Sequence, residues 1–262
     1  MQRIFTREFR ALVVAALAVS VIHVSVFSGA ARADDAAVNA VLDKAIKALG
    51  GEAKLSKLHA YSTRSKGTIT FGGVENQLIA ESTVAGIDRF RQEFEVEAQG
   101  NQFKGVVVLN GDKGWRKRVG ENTVELDADA VASEKRSVYL QVIPGTILPL
   151  KTKAFKVETA GEESVLDKPA VMLKVTGPEG KTFTLAFDKA SGLPVRLQAT
   201  VVGFQGAEFS QETIYSDFAD FNGIKRPKKI ETRRNGEPFG NLGLIEFKAI
   251  EKIDPKTFEE PE

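Results

Sequence analysis

The sequence predicts a mainly β protein, an antiparallel sheet or barrel carrying a few helices. Three observations lead there. From Ala60 onward, short runs are separated by turn pairs such as Asn110-Gly111, Ser191-Gly192 and Asn222-Gly223, the punctuation of antiparallel hairpins. Within the runs the side chains alternate: Phe183, Leu185 and Phe187 share one face, as do Val195, Leu197, Ala199 and Val201, while Thr182, Thr184, Arg196 and Gln198 take the other. A sheet with one buried and one wet face reads this way. No tandem repeat or low-complexity linker divides the chain, so residues 34–262 read as one domain.

The N-terminus stands apart. Arg3, Arg7 and Arg10 precede the apolar run ALVVAALAVSVIHVSVFSGA, which ends in Ala31-Arg32-Ala33. A basic start, an apolar run and a small-x-small site compose a secretory signal peptide over residues 1–33, which implies export to the periplasm or beyond. The run is long for a leader, so an uncleaved anchor is the rival reading; His23 and the serines that dilute it favour cleavage. No cysteine follows the site, so the new end is not that of a lipoprotein. Next, Val38, Val41, Leu42, Ala45, Ile46 and Leu49 form one apolar stripe at helical period. Asp34-Asp35 suit the helix's positive end and Gly50-Gly51 its stop, with a short second turn over 52–58.

Strands are expected at 61–71, 75–84, 89–97, 102–109 and 115–119, then at 155–159, 170–176, 182–187, 194–202, 209–218, 228–233 and 242–253. Pro194 opens its strand, where it removes no inner ladder bond. The gap between the two sets holds an acidic start and then Val131, Val138, Tyr139 and Val142 on one helical face, which predicts a helix over about 127–141. Pro144, Gly145 and Pro149 argue against regular structure in 142–150. An amphipathic helix followed by an apolar irregular stretch suits a lid over the sheet, residues 127–150; an ordinary surface helix and loop fits the same residues.

Several chemistries are disfavoured by composition. There are no cysteines, which removes disulfides, thiolate metal sites and thiol nucleophiles. Beyond the leader His59 is the only histidine, no acidic cluster stands near it at ligand spacing, and no Gly-x-Ser-x-Gly elbow exists. Neither a metal nor a cofactor is expected, and no catalytic residue is singled out. The pairs Asp127/Asp129 and Glu162/Glu163 read as helix-start and turn charge. The formal net charge of +1 turns slightly acidic once the leader's arginines leave, so no field for nucleic acid exists. Two basic groups, Lys113/Arg116/Lys117/Arg118 and Lys225/Arg226/Lys228/Lys229 with Arg233/Arg234, suit either solvated hairpins or contact with anionic headgroups or a partner.

The order of parts resembles the periplasmic lipoprotein-carrier superfamily (LolA/LolB-like, outer-membrane lipoprotein-sorting proteins). The likeness rests on DRFRQEF, VVVLNGDKGWRKR, FDKASGLPVRLQA and DPKTFEEP, in that order over residues 36–262. It implies a half-open antiparallel β-barrel of about eleven strands enclosing or capped by helices, an apolar cavity for acyl chains, and no catalysis. On that model Phe90, Phe94, Trp115, Val138, Ile143, Leu148, Phe183 and Phe187 are the cavity candidates. Where carriers have an Arg-Pro before the DRFRQEF strand, this chain has Gly86-Ile87, which separates lipid binding from lipoprotein hand-off. The expected function is a monomeric, non-enzymatic carrier of lipid or of lipoprotein acyl chains, touching membrane surfaces transiently. The alternative is an envelope sensor that binds a protein with the same fold; an exported enzyme comes third. Trp115, the sole tryptophan, is expected to point inward, filling the barrel or lining the cavity.

Overall fold

The computed structural model describes residues 27–98, 100–203 and 206–262. The expected leader lies mostly outside them. Helix α1 (Phe27–Leu49) leads into α2 (Glu52–Leu55), then β1 (Ala60–Phe71), β2 (Val74–Ala85), β3 (Arg89–Ala98), β4 (Asn101–Asn110), β5 (Lys113–Arg118) and β6 (Val124–Glu125). Helix α3 (Ala128–Thr146) follows. The chain then completes β7 (Lys156–Val165), β8 (Lys168–Thr176), β9 (Thr182–Asp188), β10 (Pro194–Val202), β11 (Glu208–Phe221), β12 (Ile224–Arg234) and β13 (Glu237–Ala249). Among the described residues no helix is long and apolar enough to cross a membrane.

All thirteen strands belong to one antiparallel sheet, ordered β6-β5-β4-β3-β2-β1-β13-β12-β11-β10-β9-β8-β7. Neighbours in space are neighbours in sequence except where β1 meets β13. The strand count is therefore thirteen and not about eleven, and the sheet stays open, with β6 and β7 as edges, and does not close into a barrel. Two-residue β6 pairs only Trp115 and Arg116 with Glu125 and Val124. It is too short for its alternation to show in sequence.

Each meander turns on local chemistry. At the end of β9, Asp188 Oδ1 accepts from Ser191 N and from Ser191 Oγ, both at 2.6 Å, and Ser191 Oγ accepts in turn from Leu193 N at 3.2 Å. These bonds, the side-chain one first, hold the Asp188 carboxyl below the usual carboxylate range against the opposing effect of burial. A depressed folded value means that Asp188 stabilises the fold above the unfolded pKa of about 4 and that this is lost as pH falls through the folded value. Asp188→Asn is expected to cost about 1–2 kcal/mol at pH 7 and less at pH 3, read from urea melts at the two pH values.

The helices pack on one face of the sheet. Val38, Leu42, Ala45, Ile46 and Leu49 of α1 join Phe183, Leu185, Phe187 and Leu197 in the largest core cluster. Helix α1 starts at Phe27, ahead of Asp34-Asp35; Ala30, Ala31, Ala33, Ala36 and Ala37 are strong helix formers and carry it backward. Val195 does not share the face of Leu197. A register shift between Pro194 and Arg196 turns it to the opposite side, where it packs with Ile214 on the Val165, Ala170, Met172 and Ala186 cluster.

Helix α3 bridges the two halves of the open sheet. Its N-cap Asp127 accepts from Ala130 N at 2.8 Å. Glu134 pairs with Arg116 of β5, and Lys135 Nζ reaches Asp112 Oδ1 in the β4–β5 turn at 2.5 Å. The next residue, Arg136, points to the other half. Its guanidinium donates to Thr182 O (2.9 Å), Thr200 O (3.3 Å) and the Tyr139 hydroxyl (2.5 Å), and pairs with Glu179. Tyr139 donates to Glu179 as well, and burial followed by that acceptor raises its pKa. Three consecutive residues thus tie both halves to one helix. The helix also runs through Pro144 and Gly145 to Thr146, capped by Ile147 at φ 64°. Pro144 lies in the last turn, so it removes a single helical hydrogen bond, while Ile143, Pro144 and Gly145 are all buried. Only then does the expected irregular stretch begin, as a tight turn over Leu148–Lys151.

Candidate functional site

What α1 and α3 leave uncovered is a cavity of about 1820 Å³ over the concave face of β1–β4 and β10–β13. Strand alternation makes it apolar: β2 contributes Leu78, Ala80 and Val84, and β13 contributes Leu242 and Leu244. The polar exceptions include Gln92 and Ser82, which satisfy each other across β2 and β3 at 3.0 Å. A space of this kind, mostly apolar with a few fixed polar groups, suits a chain-like hydrophobic ligand.

The two ends differ. Strands β1, β4, β5, β10, β12 and their hairpin partners open at the turns around 72–73, 119–120 and 235–236, where Phe71, Val74, Phe103 and Val119 line the rim. Phe103 is 57 % exposed and Val119 75 %, so this is a wet, apolar mouth. The other end is shut by the helices. There Tyr61, Arg226 and Phe247 come together beneath the last turn of α3. Arg226 is only 6 % exposed. Its guanidinium lies 4.9 Å from the Tyr61 ring centre and 4.6 Å from that of Phe247, and a Cβ at Gly145 would overlap its Nη1. Burial pushes the Arg226 pKa down and the Tyr61 pKa up. Nε and Nη2 of Arg226 are buried with no hydrogen-bond partner.

Of the sequence-derived candidates, Phe90 and Phe94 line the cavity. Phe94 lies across Gly105 of β4, where a Cβ would stand 2.6 Å from its ring. The others are placed elsewhere. Phe183, Phe187 and Ile143 are inside the main core with Leu148 packed against it, and Val138 of α3 packs onto Val84, Phe90 and Leu109. Trp115 pairs with Val108, one residue out of phase with the Phe90–Leu109 pair. It therefore faces the convex side. There it packs with Ala60, Ala85, Val108 and Phe258, beneath the C-terminal segment, which Thr123 Oγ1 holds by donating to Pro261 O at 2.7 Å.

No protein-family model matches the sequence, and no curated protein matches it either. Solved structures do. A LolA superfamily protein from Nitrosomonas europaea superposes with a TM-score of 0.57 at 12 % identity, covering 85 % of this chain and 97 % of its own. The chain has the LolA-type fold. A DUF1329 family protein from Desulfovibrio piger shares the LolA-type fold at TM-score 0.53 and 15 % identity, over 85 % of this chain and 97 % of that one. So does a domain assigned to an outer membrane lipoprotein-sorting protein from Vibrio parahaemolyticus, at TM-score 0.50 and 7 % identity, over 83 % and 97 %. Within this LolA-type fold, Gly86 of the Gly86-Ile87 pair has φ 72°, a left-handed conformation that would strain an arginine. Ile87 packs against both helix-covered clusters.

The residue that sequence reading passed over is Arg226, taken as one of a basic group. Lys225 and Lys228 are exposed and Lys229 pairs with Glu231 at 3.1 Å, whereas Arg226 turns inward. Its signal was the two-residue step from Ile224 to Arg226, which puts the two side chains on one face, where both are buried.

Proposed function

We propose that this protein is an exported, non-enzymatic carrier or binding protein for lipid or the acyl chains of lipoproteins, held in the cavity on the concave face. The observation that carries the reading is the 1820 Å³ largely apolar space between sheet and helices, with exposed Phe and Val at its rim. The LolA-type fold supports it, since one structure of that fold is assigned to outer membrane lipoprotein sorting. Phe90 and Phe94 are the cavity aromatics on this reading, with Leu78, Ala80 and Leu244 beside them. Ligand enters between the hairpin tips, chain-like and lengthwise along β1 and β12, and the rim touches the donor or acceptor membrane briefly. The protein works as a monomer in the periplasm, after removal of residues 1–33, without metal or cofactor.

Native mass spectrometry of protein taken from its own host tests this. A population heavier by one acyl-chain species is expected, released by organic extraction. A protein that is ligand-free throughout, or that carries a second polypeptide in place of lipid, contradicts the carrier reading.

A further inference from the structure

The closed end of the cavity holds a charge that the fold itself leaves unanswered. Among the described residues no carboxylate forms an ion pair with Arg226, and its guanidinium lies over the faces of Tyr61 and Phe247. Rings attract the guanidinium through its faces and leave the N–H groups in its plane unsatisfied. The contrast with Arg136, buried to the same degree but bonded to Thr182 O, Thr200 O, Tyr139 and Glu179, shows how this fold satisfies an arginine when the role is structural. A buried cation without such partners is costly and is retained where something else supplies the counter-charge.

The chemistry of that missing partner is specific. Nε and Nη2 form one edge of the guanidinium, and their N–H groups point in parallel, matched to the two oxygens of a carboxylate or of a phosphate. From Arg226 the strand β12 runs eight residues to Arg234 at the mouth, roughly 26 Å at about 3.3 Å per residue. That stretch is lined by apolar side chains on β2 and β13, with Thr63 and Ser65 of β1 between them. A single-chain amphiphile fits this geometry, with its anionic head at the closed end and its tail running toward the rim. Gly145 lets the last turn of α3 lie directly against Nη1 of the guanidinium, on the side away from the Nε–Nη2 edge.

We infer that the cavity selects anionic single-chain amphiphiles, fatty-acid carboxylates first, whose head group is held side-on by Nε and Nη2 of Arg226. This rests on the apolar-ligand reading above and names its ligand class. The test compares oleate with oleyl alcohol, which share the chain and differ in the head, by titration calorimetry on delipidated protein at pH 8 and below micelle formation. Oleate is expected to bind at least tenfold more tightly, about 1.4 kcal/mol, and Arg226→Met to bring the two affinities together. Arg226→Lys keeps a cation but loses the paired donors, and retains only part of the preference.

Equal wild-type affinities for the two, or a preference that survives in Arg226→Met, overturn the inference while leaving an apolar cavity standing. Failure of both ligands to bind overturns the cavity reading itself. Acetate or inorganic phosphate binding as tightly as oleate shows a free-anion site and overturns the amphiphile assignment. Fold loss does not obscure the result: Arg226→Met exchanges an unpaired buried charge for an unbranched apolar chain and is expected to melt at or above the wild-type temperature.

Discussion

Arg136→Ala is expected to lower the unfolding free energy by about 2–4 kcal/mol, the cost of stripping one cation from several buried acceptors. Thr182 O and Thr200 O lose their side-chain donor, and Glu179 and the Tyr139 hydroxyl are left facing each other without the cation between them. Glu179 keeps some contact with water, its side chain 28 % exposed, which holds the loss below that of a wholly enclosed pair. For a chain of this size the melting temperature should fall by roughly 5–15 °C. The effect is also directional. Arg136 ties α3 to β9 and β10 while Glu134 and Lys135 tie it to β5 and the β4–β5 turn, so hydrogen exchange should quicken first in α3 and at the β9–β10 side. A melting temperature unchanged by Arg136→Ala would mean that the helix is not the strap joining the two halves. The two buried arginines therefore predict opposite signs: removing the satisfied one destabilises, and replacing the unsatisfied one with Met does not.

Phe258→Ala is the second large effect, about 3 kcal/mol for deleting a fully buried aromatic. Phe258 is the anchor of the C-terminal segment, packed with Trp115 and Val108, with the Arg89 guanidinium 5.7 Å above its ring. Because Trp115 is the only tryptophan, its emission reports this site alone. The variant should shift to longer wavelength as the indole is wetted, while acyl binding by the folded fraction stays unchanged, the two sites lying on opposite faces of the sheet. Emission that stays put in Phe258→Ala would place Trp115 elsewhere than under the tail.

Much of this architecture is written in periodicities. The run 194–202 is bounded as expected because Pro194 starts it and Leu197, Ala199 and Val201 alternate cleanly. Strand β7 was read short because its far half is exposed and polar, and β13 was placed about five residues late because Gly240 and Gly243 near its start have no side chain to alternate. Helix α3 was read too short for a different reason. Proline and glycine break helices by local rules, but in a last turn the loss is one hydrogen bond, and burial against the core outweighs it. Val195 went to the wrong face because a bulge shifts phase without changing composition. Strand alternation gives each residue a face but does not say which face a helix covers. Trp115 was expected inward and is buried, yet under the C-terminal tail on the convex side. Phe90 and Phe94 reach the cavity by the same alternation. Arg226 was hidden among lysines, since charge is usually a sign of solvent and only its neighbours' spacing marked it as buried.

Binding of acyl ligands in the concave cavity, as proposed, is checked by thermal denaturation of the delipidated protein. A ligand that binds only the folded state at about 100 times its dissociation constant adds roughly 2.7 kcal/mol, which here corresponds to a rise of roughly 5–10 °C with fatty acid or phospholipid. A melting temperature that stays the same across every acyl ligand tried, at concentrations where the protein remains monodisperse, would contradict the account.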